Sequence, residues 1–458
     1  MKILLIAPST GHWHGLSRKK LFNGKTFRFS MLSLLSVAAA TPKEHSIKLI
    51  DEQIDPIPED EHFDLVGVTV MTSTAPRSYQ ICQMFKDKSI PVVLGGFHPT
   101  FNLDEAGRHA DAVVAGPAAG AWQQVLNDVQ NGGLKKVYHG DPAIEPPAAF
   151  PKHLLNKSAY LSVNTTYATL GCTNQCSFCS ITAFYKGNRY KRKVEDVYNE
   201  LAGFKEKFFM FIDDNLTQDR EHILELLERI SPLKKKWITQ VSVEVADDPA
   251  LLQAMQKAGC VGVFIGLESF SESALCSQNK NIKSPQFYKD AVKIIHSYGI
   301  YVEAGLIFGF DTDSVDIFET TLKHLDRIGI DAIQASILTP LPGTKLFIEM
   351  KNRIVDFNWE HYDYGQAVFN PALMTQEDLN AGLNWIKKKY YAPWRIFRRL
   401  ARWLWMPSGY KHFYFPLVLN VAYWGRQFQF RIKGYNPADS YEESDINSQT
   451  APNESIAY

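Results

Sequence analysis

A chain of 458 residues is longer than one ordinary hydrophobic core requires, so its length predicts two or three domains. Its 49 basic side chains balance 49 acidic ones and 45% of the residues are hydrophobic, which excludes a disordered chain and gives no sign of a nucleic-acid partner. Six cysteines, three of them crowded together, argue against a disulfide-bonded secreted protein and favour the reducing cytoplasm.

Neither end of the chain predicts export or membrane insertion. The amino terminus lacks the long apolar core and the small-residue cleavage site of a signal peptide. The longest apolar run near the carboxyl terminus, residues 413–424, is shorter than the roughly 20 residues that cross a bilayer, and it contains Pro416 and Asn420. The sequence therefore predicts a cytoplasmic protein without a transmembrane helix.

Residues 1–139 alternate short β-branched runs with helix-like stretches. This alternation is typical of a parallel sheet with helices on both faces. The predicted strands are residues 3–7, 47–50, 65–70, 92–94 and 112–114. The predicted helices are residues 31–40, 77–85 and 120–129. We therefore expect a Rossmann-like (flavodoxin-like) domain that binds a ligand where its strands end.

Polar or glycine-rich loops follow these predicted strands. They contain His12, His14, Thr72, Ser73, Gly95, Gly96, His98 and Gly116. Glycines at such a position let the backbone approach a flat or nucleotide-like ligand.

A second alternating unit, residues 161–370, follows a proline-rich linker at residues 140–160. Its predicted strands are residues 167–170, 208–212, 238–243, 262–266, 302–307 and 332–337. Six strand–helix units of this kind predict a partial (β/α)6 TIM-type barrel. In such barrels the chemistry lies on the loops that follow the strands.

Residues 371–436 are expected to be helical, and residues 437–458 to be a disordered acidic tail. Between residues 380 and 433 the chain has eleven Lys or Arg and no Asp or Glu, interleaved with many aromatic residues. Two interpretations remain open. These helices either cover the mouth of the barrel or contact an anionic membrane surface.

Cys172, Cys176 and Cys179 lie just after the first predicted strand of the second unit. A short loop with this spacing can direct three thiolates at one iron–sulfur cube and leave the fourth iron open. The alternatives, a structural zinc site and a ferredoxin cluster, normally require four ligands. Cys82, Cys260 and Cys276 are isolated, and we expect them to be ordinary residues.

The pattern Cys-x3-Cys-x-aromatic-Cys, in which Phe178 is the aromatic residue, resembles the radical S-adenosylmethionine (SAM) superfamily. The resemblance implies that the amine and carboxylate of SAM chelate the open iron of a 4Fe-4S cluster, and that reduction then gives a 5'-deoxyadenosyl radical. Relatives often have Arg-Gly-Cys-Pro where this chain has Leu170, Gly171, Cys172 and Thr173, a difference that leaves the cluster ligands unchanged.

Later segments match the superfamily in the same order and imply further contacts with SAM. Asp213, Asp214 and Asn215 resemble the stretch that receives the methionine amine. Glu268 and Ser269 belong to a Gly-x-Glu-Ser segment, whose glutamate would accept hydrogen bonds from the amine or the ribose. Glu244 is a further candidate, and Gly305 would lie against the adenine.

The N-terminal unit resembles the cobalamin (B12)-binding domain of one subgroup of the superfamily, and Thr72 and Ser73 would bond the cobalamin tail. The Asp-x-His-x-x-Gly motif is absent, as in many enzymes of this subgroup. We therefore expect His12, His14 and His98 to be bystanders rather than cobalt ligands. A stretch beginning at Gly116 also departs from the subgroup's Gly-Glu-Ala-Glu. The alternative is a cobalamin-free domain that serves packing or docking.

These resemblances imply a cobalamin-dependent C-methyltransferase, which uses one SAM for the radical and a second to recharge cobalamin. An oxidative cyclase of the same domain order and a non-catalytic cobalamin- or cluster-binding protein are the alternatives. A methylthiotransferase would need three more cysteines in the N-terminal unit. The implied partners are a small-molecule or lipid-like substrate and an external electron donor of the flavodoxin or ferredoxin type.

Overall fold

The computed structural model describes residues 1–9, 31–141, 146–160, 164–278, 284–405 and 413–432. His12, His14 and the predicted tail lie outside these described residues.

Six parallel strands form the N-terminal sheet, in the order β2-β1-β3-β4-β5-β6. They are β1 (Lys2–Ala7), β2 (Ser46–Asp51), β3 (Leu65–Thr69), β4 (Val92–Gly95), β5 (Ala112–Ala115) and β6 (Val137–His139). This order confirms the flavodoxin-like prediction and adds β6, which is too short to show a periodic pattern. Because the order reverses between β1 and β3, a ligand crevice is expected at the carboxyl ends of these strands.

In the described part of this unit, five helices cover the two faces of the sheet. They are α1 (Leu32–Ala39), α2 (Ala75–Lys86), α3 (Phe97–Phe101), α4 (Leu103–His109) and α5 (Ala119–Gln130). Ile3 and Leu5 pack with α1 and α5, whereas Leu4 and Ile6 pack with α2 and α4. Both faces of β1 are therefore buried, as expected for a parallel sheet between two helix layers.

Six parallel strands form the second sheet, and they lie side by side in chain order, β7-β10-β11-β12-β13-β14. The strands of this unit are β7 (Thr165–Thr166), β8 (Thr169–Leu170), β9 (Tyr190–Lys191), β10 (Phe208–Phe211), β11 (Lys236–Val241), β12 (Cys260–Glu268), β13 (Tyr301–Phe308) and β14 (Ala332–Ile337). Within the described residues β7 and β14 are edge strands, so the sheet is an open, partial barrel.

The first barrel strand is not where the sequence placed it. Residues 167–170 were predicted as one strand, but the strand that pairs with β10 is β7, and β8 forms a separate antiparallel ribbon with β9. The reason is Asp213, whose carboxylate accepts hydrogen bonds from the backbone N–H groups of Ala168 and Thr169. These N–H groups are therefore unavailable for pairing with a neighbouring strand.

Eight helices pack on the convex side of the barrel and in its loops. They are α6 (Ser180–Tyr185), α7 (Val194–Ala202), α8 (Arg220–Ile230), α9 (Pro249–Lys257), α10 (Glu272–Ser277), α11 (Pro285–Ser297), α12 (Ile317–Ile328) and α13 (Lys345–Met350). Side chains facing these helices alternate along the strands with others that remain partly exposed on the concave face. On β14, for example, Ile333 lies in the core whereas Gln334 is partly exposed.

A buried ionic cluster joins the linker to the start of the barrel. Glu200 on α7 accepts hydrogen bonds from Lys152 at 2.6 Å, from Arg192 at 2.8 Å and from Thr166 on β7 at 2.8 Å. Burial lowers the pKa of Lys152 to about 8, although the Glu200 carboxylate acts to raise it. The first barrel strand is thus positioned by charges that are removed from water and paired.

Three helices form the carboxyl-terminal region, as predicted: α14 (Gln376–Tyr390), α15 (Pro393–Trp405) and α16 (Tyr414–Ile432). Trp403 on α15 packs with Val261 and Tyr301, and the ring of Phe415 on α16 stacks 5.4 Å from that of Phe208. These contacts lie at the amino ends of the barrel strands. Within the described residues no helix is both long and apolar enough to cross a bilayer.

Replacing Asp331 with alanine is expected to loosen this carboxyl-terminal region. The buried Asp331 carboxylate accepts hydrogen bonds from Trp403 Nε1 at 2.7 Å and Val302 N at 2.8 Å, and lies 2.7 Å from His296 Nε2. Its loss leaves buried polar groups unpaired, so the free energy of unfolding of the barrel should fall by about 3 kcal/mol. Urea unfolding followed by tryptophan fluorescence measures this. Asp326→Ala removes a more exposed ion pair with Arg395 and should cost less than about 1 kcal/mol.

Candidate functional site

The cysteine segment leaves the barrel through a turn that only glycine can form. Gly171 has a φ of +82°, and a Cβ there would lie 2.2 Å from the backbone oxygen of Asn188. Asp213 holds the preceding residues, and Asp214 Oδ2 accepts a hydrogen bond from Gly171 N at 2.9 Å. Two adjacent carboxylates at the end of β10 thus fix where the cysteine segment begins.

Cys172, Cys176 and Cys179 are all partly exposed and none forms a disulfide. Burial raises the pKa of the Cys179 thiol. Within the described part of the chain, no group of three or more His, Cys, Asp or Glu is arranged around a single metal ion. An iron–sulfur cube takes one thiolate on each of three different irons, so its ligands do not converge on one atom. Three accessible, unbridged thiols on one short loop are nevertheless the donor set that an iron–sulfur cluster requires.

Gln218, which no sequence motif identifies, supports the first half of the loop. Its Oε1 accepts a hydrogen bond from Thr173 N at 3.1 Å, and its Nε2 donates to Cys172 Sγ at 3.6 Å. Ser177 anchors the second half of the loop, because its hydroxyl donates a hydrogen bond to Gln278 Oε1 and its backbone oxygen accepts one from Leu346 N. Phe178 is half-buried against the barrel core.

The other cysteines differ from these three in position and environment. Cys82 and Cys260 are buried, and burial raises the pKa of Cys82 to about 12. A thiol that stays protonated is a poor metal ligand. Cys276 is exposed on α10. That Cys82, Cys260 and Cys276 are ordinary residues stays a prediction, which the burial of the first two supports.

The predicted acidic residues lie at the carboxyl ends of neighbouring strands but differ in what they contact. Asp213 is fully buried and bonded to the loop, and burial raises its pKa to about 7. Asp214 is partly buried, and burial raises its pKa to about 6. Asn215 Oδ1 accepts a hydrogen bond from Ser242 N, which ties β10 to β11. Asp213 and Asn215 therefore hold the backbone of neighbouring segments in place. A contact with SAM remains a prediction for Asp213, Asp214 and Asn215.

Glu268 has an unusual backbone conformation, with a φ of +62°. The pairing of β12 with β13 shifts register between Gly266 and Glu268, which marks a β-bulge. A strained non-glycine residue at the end of a barrel strand is typical of a functional site. Ser269, next to it, is buried and accepts a hydrogen bond from Ser271 N. Glu244 lies in the turn after β11, where it accepts a hydrogen bond from the hydroxyl of Ser242.

Gly305 lies on β13 opposite Gly266, and a Cβ there would meet the ring of Phe264 at 2.8 Å. Two residues earlier on the same strand, Glu303 forms the polar floor of the concave face of the barrel. No sequence pattern predicted this role. Glu303 Oε1 accepts hydrogen bonds from Gln334 on β14 at 2.9 Å and from Tyr423 on α16 at 2.5 Å. Burial raises the pKa of Glu303.

At the carboxyl edge of the N-terminal sheet, two of the predicted glycines have a backbone conformation that favours glycine. Gly96 has a φ of +110°, and a Cβ there would lie 2.7 Å from Val70 O. Gly116, with a φ of +81°, donates its N–H to Thr100 Oγ1. A Cβ on Gly95 would have ordinary contacts, the nearest at 3.8 Å. Thr72 and Ser73 lie in the turn after β3, beside the crevice expected from the strand order.

His98 is fully buried, and both of its ring nitrogens have partners inside the protein. Nε2 lies 3.0 Å from Tyr79 Oη, and Nδ1 lies 3.2 Å from Asn102 Nδ2. The imidazole also packs edge-on against Trp359, 5.2 Å between ring centroids. The geometry thus supports the expectation that His98 is a bystander rather than a cobalt ligand.

The two units meet beside the cysteine segment. Phe184 on α6 lies 4.7 Å from Phe97 and 6.3 Å from Phe101, both on α3, between ring centroids. A Cβ on Gly343, in the loop after β14, would collide with Phe101 at 2.1 Å. Trp359 Nε1 donates a 2.9 Å hydrogen bond to Glu105 on α4. The carboxyl ends of the barrel strands therefore face the N-terminal unit.

Gln218→Leu should shift the properties of a cluster bound by this loop without preventing its binding. Loss of the hydrogen bond to Cys172 Sγ removes about 1 kcal/mol of stabilisation from the more negative, reduced state. The reduction potential should therefore become roughly 40 mV more negative, measured by redox titration of the reconstituted protein. Gln286→Leu, which removes a surface hydrogen bond to Asp290, should leave the potential unchanged. Equal potentials for both variants would contradict this role of Gln218.

Comparisons with known proteins agree with this two-part organisation. The Radical SAM superfamily sequence model matches residues 166–325, and that of the B12 binding domain matches residues 30–126. Bacteriochlorophyllide d C-12(1)-methyltransferase of Chlorobaculum tepidum is 30% identical over 393 residues, 82% of this chain and 86% of that protein. Anaerobic magnesium-protoporphyrin IX monomethyl ester cyclase of Rubrivivax gelatinosus is 24% identical over 414 residues, 80% of this chain and 74% of that protein.

Among solved structures, the radical SAM methyltransferase TsrM from Kitasatospora setae, with cobalamin and a [4Fe-4S] cluster bound, has a TM-score of 0.61 and 16% identity. The similarity covers 77% of this chain and 78% of that one. At this identity the likeness concerns the fold, and it extends over both units.

Proposed function

Because the chain belongs to the radical SAM superfamily, in the subgroup with an N-terminal B12-binding domain, we propose that it is a cobalamin-dependent C-methyltransferase of a hydrophobic or natural-product substrate. One observation carries the proposal. Three accessible thiols lie where the barrel strands end, and this edge packs through α6 against α3 of the B12-binding unit. The 4Fe-4S cluster, SAM and cobalamin are the cofactors of such an enzyme.

Cys172, Cys176 and Cys179 would hold the cluster, and their accessibility fits that role. Bound together, the cofactors supply the electron that cleaves SAM to a 5'-deoxyadenosyl radical and the methyl group that replaces hydrogen on the substrate. The protein's contribution is positional. Asp213 and Asp214 fix the start of the loop, and Gln218 supports its first half.

For SAM, we propose that Glu268 accepts hydrogen bonds from the amine or the ribose and that the adenine lies over Gly305. The strained backbone of Glu268 supports the first assignment. The second rests on the position of Gly305 on β13, opposite Gly266, which lies two residues before Glu268. Asn215, Glu244 and Ser269 complete the rim, since each lies at or just after a strand end. Asp213 contributes to the SAM site only indirectly, because its carboxylate accepts hydrogen bonds from the backbone N–H groups of Ala168 and Thr169.

For cobalamin, we propose that the ligand lies along the carboxyl edge of the N-terminal sheet. Thr72 and Ser73 lie in the turn after β3, and Gly95, Gly96 and Gly116 lie at or directly after the ends of β4 and β5. This edge adjoins α3, which contacts α6 directly after the cysteine segment. A cofactor bound there would therefore lie close to the cluster.

The concave face of the barrel supports a hydrophobic substrate with an uncharged polar group. Phe264 and Ile307 are partly exposed on this face, and Glu303 and Gln334 offer hydrogen bonds below them. Burial raises the pKa of Glu303, so its carboxyl is easier to protonate than an exposed one. Together with Gln334 it offers hydrogen bonds to a hydroxyl or carbonyl. The match to the magnesium-protoporphyrin cyclase covers about as much of this chain as the match to the bacteriochlorophyllide methyltransferase. Oxidative ring formation is therefore the second candidate.

The remaining partners and the location are also proposals. An external flavodoxin- or ferredoxin-type protein would supply electrons, because a radical SAM cluster must be reduced before it acts. We further propose a cytoplasmic enzyme in peripheral contact with a membrane. The predicted boundaries, 1–139, 140–160, 161–370, 371–436 and 437–458, remain predictions, and within the described residues they fall between elements of the fold.

Anaerobic reconstitution with iron, sulfide and hydroxocobalamin, followed by reduction and addition of SAM carrying a labelled methyl group, tests the proposal. A methyltransferase should form 5'-deoxyadenosine and transfer label to the protein-bound cobalamin. A cyclase should form 5'-deoxyadenosine without transferring label, and a non-catalytic binding protein should do neither. The last two results would reject the proposed methyl transfer.

A further inference from the structure

Helix α15 has one face in the protein and one in solvent. Arg399, Leu400 and Trp403 are buried against the barrel and neighbouring helices. Trp394, Phe397, Leu404 and Trp405 are exposed, by 57%, 75%, 60% and 90% of their surface. At 100° per residue these four positions fall on one side of the helix. The exposed stripe is therefore a continuous aromatic and aliphatic surface, which is uncommon on a soluble protein.

A cationic cleft of about 380 Å³ lies beside this stripe. Among the described residues its lining includes Trp405, one carboxylate, Asp326, and four arginines, Arg395, Arg398, Arg399 and Arg402. Three of the arginines are held in place: Arg395 pairs with Asp326, and Arg399 and Arg402 donate to backbone oxygens. Arg399 Nε is buried and has no hydrogen-bond partner among the residues that the structure describes. Arg398 is exposed and forms no ion pair with the described residues.

We propose that α15 docks on an anionic lipid bilayer, with the aromatic stripe in the interface and a lipid phosphate in the arginine cleft. Charge complementarity selects this partner, because residues 380–433 have eleven basic side chains and no acidic one. Trp and Phe on one side of a helix and arginines next to them are the features of an interfacial helix. Phosphate oxygens accept hydrogen bonds that the arginine donors have available.

Docking through α15 would leave the carboxyl ends of the barrel strands, where the cysteine segment lies, accessible. The helix covers the amino ends of the barrel strands through Trp403, whereas the cysteine segment and the B12-binding unit lie at the opposite, carboxyl ends. The membrane contact is therefore independent of the proposed methyl transfer, and either one can fail without the other.

Flotation of the full chain with vesicles of phosphatidylcholine, or of phosphatidylcholine with phosphatidylglycerol, tests the docking surface. The parent protein should bind the phosphatidylglycerol vesicles and bind pure phosphatidylcholine several-fold more weakly. The triple variant Trp394→Ser, Phe397→Ser and Trp405→Ser should bind at least about tenfold more weakly. Arg398→Gln, which breaks no described contact, should weaken binding to the anionic vesicles about fivefold.

A matched control is available in three apolar side chains exposed elsewhere, Val315, Phe357 and Leu373, whose triple replacement by serine should leave binding unchanged. The proposal is overturned if the parent does not bind anionic vesicles, or if the α15 and control variants bind equally well. It is also overturned if the parent is a dimer without vesicles and the α15 variant a monomer, because a second copy of the chain would then cover the stripe.

Discussion

Replacing Cys176 with alanine should reduce 5'-deoxyadenosine formation by more than about 100-fold, because a cluster with an open iron depends on all three thiolates. Cys176 is partly exposed in the middle of the loop. The flanking halves of the loop are held by Gln218 and by Ser177, so the substitution should remove a ligand without unfolding the segment. Iron content, the absorption of the reconstituted protein and 5'-deoxyadenosine yield are the measurements.

Cys276→Ala is the matched control, because Cys276 is also an exposed thiol of the barrel unit but lies on α10, apart from the loop. It should retain iron and activity within about twofold of the parent. If Cys176→Ala kept its iron and still cleaved SAM, a different set of ligands would hold the metal. Zinc in place of iron in the parent protein would contradict the assignment equally.

The parts of the fold that the sequence predicted depend on local patterns. Buried parallel strands need continuous apolar runs, so five strands of the first sheet and the later strands of the barrel were recognisable from such runs alone. The cysteine spacing is equally local. Elements without a periodic signal were missed: β6 has three residues, and α3 has five and contains Pro99.

The parts that could not be predicted depend on pairs of residues far apart in the chain. Asp213 matched a segment expected to contact SAM, yet it accepts backbone hydrogen bonds from residues 44 and 45 positions earlier. Those bonds shifted the first barrel strand from residues 167–170 to β7. Glu303 and Tyr423, which form the floor of the concave face, are 120 residues apart. No pattern in either local sequence signals such a contact.

Replacing Gly95 with valine should lower cobalamin retention by about tenfold to a hundredfold, while cleavage of SAM stays within about twofold of the parent. A Cβ at this position has room, since its nearest neighbour, the Cβ of Ala118, is 3.8 Å away. The fold should therefore accept the substitution. The two added methyl groups would instead occupy the carboxyl edge where cobalamin is proposed to bind, and overpacking of this kind costs about 1–3 kcal/mol.

The substitution separates the two halves of the proposed enzyme because Gly95 ends β4 of the N-terminal sheet, whereas the cysteine loop belongs to the barrel. Absorption of protein-bound cobalamin after gel filtration measures cobalamin binding by the N-terminal unit. The yield of 5'-deoxyadenosine measures the activity of the barrel. Gly133→Val is the control, because a Cβ at Gly133 meets no atom within 4 Å and its backbone has an ordinary φ. If Gly95→Val retained cobalamin as well as Gly133→Val does, this edge would not be the binding surface, and the flavodoxin-like unit would serve packing instead.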